Sequence, residues 1–202
     1  MPAQRPAPTR GPDWGAAGTW SVGFVAVLWV AEILDAVLRL RLDREGIRPL
    51  DTDGLSGILA APLLHGGFGH LIGNTVPLLV LGFVLLLGGV RRWAAVTAVV
   101  WLVGGLGTWL FGGVGTLHIG ASGVVFGWLT YLIVRGFFSR RPGQITVGAL
   151  VFLFYGGMLL GVLPSHPGVS WQGHLFGAVG GVLAAWWFAS ADRRPVRAAY
   201  WS

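Results

Sequence analysis

Residues 120–141 read GASGVVFGWLTYLIVRGFFSRR. A small-residue turn opens a run that stays uncharged to Val134 and then meets Arg135, Arg140 and Arg141. A helix over 122 to 138 with arginines at one end is the pattern of a membrane span, since about 20 helical residues cross the ~30 Å of hydrocarbon. Working outward, comparable apolar runs occupy 20 to 38, 71 to 90, 93 to 111, 145 to 163 and 171 to 191. The sequence therefore predicts an all-α polytopic membrane protein, a bundle of six transmembrane helices. The 202 residues are 54% hydrophobic and 11% charged, and no Asp or Glu occurs between Gly54 and Ala191. That balance excludes a disordered chain, and the absence of Cys excludes a disulfide scaffold. The runs are continuous rather than alternating, which excludes a β-barrel. The first run carries Glu32 and Asp35 and lacks a small-residue cleavage site, so it is expected to be a span and not a cleaved signal.

The net charge of +6 comes entirely from arginine on the basic side, and its placement reads as topology, with no nucleic-acid partner expected. Arg5, Arg10, Arg91, Arg92, Arg135, Arg140, Arg141, Arg193, Arg194 and Arg197 fall on the side that holds both termini. On the other side, Arg39, Arg41, Arg44 and Arg48 are offset by Asp43, Glu45, Asp51 and Asp53. The positive-inside rule then puts both termini in the cytoplasm of a multi-pass protein of the cell membrane. Residues 1–18 and 192–202 read as flexible cytoplasmic tails around one membrane domain, 19–191. The loop from Arg39 to Gly69 reads as an outer element with short helices around Ser56 to Leu64. The glycine pairs Gly69/Gly73, Gly123/Gly127 and Gly177/Gly181 are expected to let helix backbones approach.

Polar side chains inside such a bundle are functional candidates. They gather at the outer ends of three spans: His65, His70 and Asn74 on the second, Ser122 on the fourth, His174 on the sixth. At ~1.5 Å rise per residue from each inner arginine, Ser122, His174, Asn74 and His70 lie about 20 to 32 Å above the inner boundary, in one layer. Alone, Ser122 would read as a helix cap or packing residue. Paired with a neutral imidazole it becomes a nucleophile. The Ser122 backbone N–H, the Asn74 amide and a His70 N–H are donors of the kind a tetrahedral oxyanion requires. A carboxylate to orient the base is missing from Gly54 to Ala191, so the arrangement would be a dyad. Two intramembrane Asp residues and a His-Glu-x-x-His motif are both lacking, which leaves serine chemistry among intramembrane proteolytic mechanisms. His65, His70 and His118 without Cys or nearby carboxylates make a poor metal set, and no metal or cofactor is expected. His118 and His166 read as hydrogen-bonded packing residues. Asp35 is expected to pair with Arg39 one turn on.

Three motifs in this order resemble the rhomboid family of intramembrane serine proteases, in its six-helix prokaryotic form. They are His-x4-His-x3-Asn at His65, His70 and Asn74; Gly-x-Ser-Gly from Gly120 to Gly123; and His-x2-Gly-x3-Gly at His174, Gly177 and Gly181. The resemblance covers roughly residues 20 to 190. It implies that Ser122 is the nucleophile, His174 the base, and His70 and Asn74 the oxyanion-hole side chains, with His65, Gly120, Gly123, Gly177 and Gly181 structural. It further implies cleavage of single-span transmembrane substrates near the outer leaflet, with small residues favoured at the cut and a gate around Phe152 to Ser170. Two positions depart from the pattern: Ser56-Gly57 stands where the family often has Trp-Arg, and Phe126 where many bacterial members have a Tyr stacked on the base. The alternative is a catalytically inactive relative that binds client helices; such proteins typically lack a catalytic residue, and both are present here. A transporter that uses Glu32 and Asp35 would need polar counterparts on other helices, and the sequence offers few.

Overall fold

The computed structural model describes residues 11–164 and 168–192, with the backbone alone at Ala191. His166 and the arginines at positions 5, 10, 193, 194 and 197 lie outside the described residues. Seven α-helices are present among those described: α1 (Trp14–Leu38), α2 (Gly57–Ala60), α3 (Phe68–Leu86), α4 (Val90–Phe111), α5 (Ser122–Ser139), α6 (Pro142–Tyr155) and α7 (Trp171–Asp192). A 3₁₀ segment, Gly156–Val162, continues α6. The helices α1, α3, α4 and α5, and α6 with its 3₁₀ extension, are long and apolar enough to cross a membrane. The 22-residue α7 occupies the place of the sixth expected span.

Several boundaries differ from the sequence reading for local reasons. The first helix starts at Trp14, within the stretch read as tail, because the Asp13 carboxylate caps it by accepting the Ala16 N–H at 2.9 Å. The third begins only at Phe68, so His65 precedes the helix that carries His70 and Asn74. Asp35 does not pair with Arg39. Its Oδ1 accepts the Leu42 N–H at 2.9 Å, turning the chain into the outer loop, while Arg39 adopts a left-handed conformation at the end of α1.

The outer loop packs on α4. Indole N–H groups of Trp101 and Trp109 donate to the carbonyls of Ile58 and Asp51, both at 2.9 Å. Ile47 and His118 exchange backbone hydrogen bonds at 2.9 and 3.0 Å. The short helices expected near Ser56 to Leu64 are α2 and a 3₁₀ turn, Ala61–Leu63.

At the centre, α5 lies between α7, α4, α3 and α6. It buries Val124, Val125, Trp128, Leu129 and Leu132, against Leu71, Leu78, Leu81 and Leu85 of α3 and Ala184 and Ala185 of α7. The contact with α7 is backbone on backbone. A methyl group built on Gly177 would collide with the Gly123 carbonyl, and one on Gly181 with the Gly127 carbonyl. One built on Gly123 would lie 3.1 Å from the carbonyl oxygen of Gly173. The pairs Gly123/Gly127 and Gly177/Gly181 thus interlock, as expected for small residues at a membrane helix crossing. Gly69/Gly73 does not behave this way, because a methyl group at either position meets nothing within 4 Å. Spacing alone could not tell which face α3 turns to the bundle; that face is set by Leu71, Asn74 and Leu78, which are buried.

Gly177→Ala and Gly181→Ala should therefore each cost about 1–3 kcal/mol or more through overpacking, read as a fall of several degrees in the thermal midpoint of the detergent-solubilised protein. Gly69→Ala should stay within about 0.5 kcal/mol of wild type; equal losses at all three positions would contradict the assignment of the crossing.

Candidate active site

The α5–α7 crossing sets Ser122, the first residue of α5, beside His174, in the first turn of α7. Ser122 Oγ lies 2.9 Å from His174 Nε2. On the far side of the ring, Nδ1 lies 2.9 Å from the carbonyl oxygen of Gly161. A carbonyl only accepts, so Nδ1 carries the proton in this bond and Nε2 is left with its lone pair toward the serine hydroxyl. The Phe126 ring, one turn along α5 from Ser122, stacks on the imidazole with centroids 4.1 Å apart and planes 6° from parallel. The imidazole is fixed in its plane by Phe126 and about its axis by Gly161. Phenylalanine supplies the stack without the hydroxyl of a tyrosine.

The turn before Ser122 is built from small residues, with Ala121 fully buried. Gly120 has φ of +111°, and a methyl group there would strike the His70 ring at 2.5 Å; only glycine meets both conditions. His70 is therefore packed under the turn, itself on the exposed side of α3. The N–H groups of Ser122 and Gly123, in the first turn of α5, have no intrahelical acceptor by position. Asn74, 7% exposed, carries a buried Nδ2 with no hydrogen-bond partner among the described residues. A buried unpaired amide costs about 1–3 kcal/mol and calls for an explanation; an arriving oxyanion would supply its acceptor.

His65 serves the turn from outside the helices. Its Nε2 accepts the Ala121 N–H at 3.4 Å, and its ring meets that of His70 edge-on with centroids 5.0 Å apart. His118, read from sequence as a packing residue, is hydrogen-bonded at both ring nitrogens. Nε2 donates to the Gly112 carbonyl at 3.2 Å and also lies 2.7 Å from Thr116 Oγ1, while Nδ1 accepts from Ser170 Oγ at 2.7 Å. Ser170 in turn accepts the Gly173 N–H at 3.2 Å, capping α7 one turn before His174. With His118 so engaged, the three outer histidines do not converge. Two contributors escaped the sequence reading, Gly161 and the Ser170 cap. Each does its work through a backbone group or a local cap, and the available signal was the Ser170-x-x-Gly173 spacing ahead of His174.

Burial, and to a smaller extent the His70 ring, pushes the His65 imidazole down to about 4. The unfolded chain binds this proton near pH ~6.5, the folded one does not. The stability contribution is complete above pH ~6.5 and is lost as pH falls through that value toward 4. Burial lowers His118 as well, with the same sign. Thermal scans between pH 7 and 4 should show declining stability, and His65→Gln should flatten part of that decline; an identical acid limb in the variant would contradict it.

The chain is similar to known proteins over most of its length. The profile described as Rhomboid domain matches residues 52–191. An uncharacterized protein of Mycobacterium tuberculosis is 50% identical over 92% of this chain and 81% of its own length. One of Mycobacterium leprae is 48% identical over 90% and 75% respectively. A Bacillus subtilis protein with the name "Putative rhomboid protease YdcA" is 30% identical over 60% of this chain and 61% of its own. With several helices long and apolar enough to span a bilayer and a family match over most of its length, this chain is an integral multi-pass membrane protein that belongs to the rhomboid family.

Proposed function

We propose that the protein is an intramembrane serine endopeptidase that cuts substrate transmembrane helices through a Ser122–His174 dyad. The observation that carries this reading is the Ser122 Oγ to His174 Nε2 distance of 2.9 Å, with Nδ1 already committed to a carbonyl. A serine hydroxyl next to the unprotonated nitrogen of a fixed imidazole is the arrangement general-base activation requires.

In the reaction, Ser122 Oγ attacks the scissile carbonyl carbon while His174 Nε2 takes the hydroxyl proton. The negative charge collects on the former carbonyl oxygen, where the Ser122 N–H, Asn74 Nδ2 and a His70 N–H are the donors of the oxyanion hole. Collapse breaks the C–N bond, and the imidazolium gives its proton to the leaving amine. Water then attacks the acyl-serine ester, His174 takes its proton, and return of that proton to Ser122 releases the new carboxylate end. The first half uses only the chain's own groups and the substrate, and the second adds one water. His65, Gly120 and Gly123 shape the turn, and Gly177 and Gly181 set the distance between α5 and α7.

The site lies at the end of the bundle opposite Arg91, Arg92, Arg135, Arg140 and Arg141. The positive-inside rule then supports cytoplasmic termini in the cell membrane and a site in the outer half of the bilayer. Single-span proteins with small residues at the outer end of their helix are the substrate class this fits.

Reconstituted with a generic single-span substrate, wild type should produce two fragments, and Ser122→Ala and His174→Ala none. Asn74→Ala should lower kcat by about 10²- to 10³-fold, the usual cost of one oxyanion donor. A folded wild type that binds the helix without cutting it would instead indicate a client-binding relative.

A further inference from the structure

We propose that the groove between the outer loop and the α4–α5 connection binds the phosphate headgroup of an anionic phospholipid, clasped by Arg44 and Arg48. The site is separate from Ser122 and His174 and does not depend on cleavage.

The groove has a volume of about 480 Å³, within the roughly 300–1,000 Å³ of small-molecule sites. Arg44, Arg48 and Asp51 line one side of it, and Val114, Gly115 and Thr116 the other. The two sides are tied by the Ile47–His118 backbone pair and by the Leu50 N–H, which donates to the Trp109 carbonyl at 3.0 Å. A methyl group built on Gly115 would meet nothing within 4 Å, so the chain leaves the groove open there.

The groove offers positive charge. Arg48 Nε donates to Asp51 Oδ2 at 3.0 Å, and Asp51 Oδ1 accepts the Asp53 N–H at 3.0 Å. The Asp51 carboxylate is therefore engaged at both oxygens, while the terminal amino groups of Arg48 have no acceptor among the described residues. Arg44 has no carboxylate partner among them either, although Asp43 and Glu45 flank it in sequence. The four arginines and four acidic residues of this loop thus form a single ion pair among the described residues, Arg48–Asp51. Two guanidinium groups with donors to spare suit the oxygens of a phosphate.

Depth and the rim of the groove select a lipid as the source of that phosphate. Phe111 comes nineteen residues after Arg92 in α4, a rise of ~28 Å, close to the ~30 Å of hydrocarbon. The groove follows directly, at headgroup level. Leu50, Val114 and Leu117, which line it, and Phe111 just before it in the chain are all exposed. Arginines set beside exposed apolar side chains match a charged headgroup and the acyl chains below it. An acidic peptide would use the arginines and leave that rim uncovered. Thr116, on the far side of the groove, lies 2.7 Å from His118 Nε2 through its Oγ1, so a bound headgroup braces the loops that His118 joins.

The test is native mass spectrometry of the full chain in detergent, titrated with phosphatidylglycerol, phosphatidylcholine or an acidic peptide, together with the thermal midpoint. Wild type should hold phosphatidylglycerol at least about tenfold more tightly than phosphatidylcholine, and its midpoint should rise on binding. Arg44→Gln and Arg48→Gln should each weaken phosphatidylglycerol about fivefold, the worth of one basic side chain against an anionic lipid, and reduce that rise. Arg41→Gln makes the same charge change outside the groove and should stay within about twofold of wild type. Arg44 has no ion pair to lose, so Arg44→Gln carries the test if Arg48→Gln does not fold. Equal retention of the two lipids by wild type overturns the proposal. Equal losses in Arg41→Gln and Arg44→Gln do the same, because they mark general attraction to a basic surface, as does preference for the acidic peptide. Soluble glycerol phosphate should displace the lipid only at far higher concentration; displacement at equal concentration would make the ligand a free phosphate and overturn the lipid assignment.

Discussion

Everything at the site depends on how closely α5 and α7 approach. Gly123 and Gly127 on one helix meet Gly173, Gly177 and Gly181 on the other through their backbones, and Thr130 Oγ1 bridges the two helices by donating to the Ala178 carbonyl at 2.8 Å. In hydrocarbon there is little hydrophobic drive to bring helices together, so packing of this kind supplies the association. The same glycines that hold the crossing lie within a turn or two of Ser122 and His174, so the crossing sets the distance between these two side chains. The spacing His174-x2-Gly177-x3-Gly181 has a direct physical meaning: it puts His174 and the two glycines that let it approach on one face of the helix.

A second constraint is the cost of charge within the bilayer. In soluble triads a carboxylate orients the imidazole, and bringing one into a bundle would add a heavy desolvation penalty. Here a backbone carbonyl, that of Gly161, occupies the corresponding position. It fixes the tautomer without introducing an ionised group, at the expense of the electrostatic support a carboxylate gives to the imidazolium. The stacked Phe126 ring restricts the remaining freedom. Farther out, His118 ties the Ile47 backbone, the Gly112 carbonyl and the Ser170 cap together, so one residue links the outer loop, the α4–α5 connection and the start of α7.

Much of this was legible in the sequence because membranes leave few ways to place a polar group. Ser122, His174, His70 and Asn74 stand out against apolar runs, and counting residues from the inner arginines brings them to one depth. The packing role of Gly177 and Gly181 followed from spacing. Gly69 and Gly73 have equal spacing and no partner helix among the described residues, because periodicity reports a face and not what lies opposite it. Asp35 turned from Arg39 to the Leu42 N–H, where a loop the sequence leaves irregular provides the donor. Gly161 could not be found from residue type, since its contribution is a carbonyl every residue has. Its trace is positional: Gly161 is the next-to-last residue of the 3₁₀ segment Gly156–Val162, where carbonyls lack an intrahelical donor by position.

The central claim is that His174 activates Ser122 and no other hydroxyl in this chain. It is tested most directly by treating the reconstituted protein with a fluorophosphonate and mapping the adduct by mass spectrometry. The account predicts a single modification, on Ser122, that disappears in His174→Ala while the protein remains folded. Modification of another residue, or of Ser122 at an unchanged rate without His174, would contradict it.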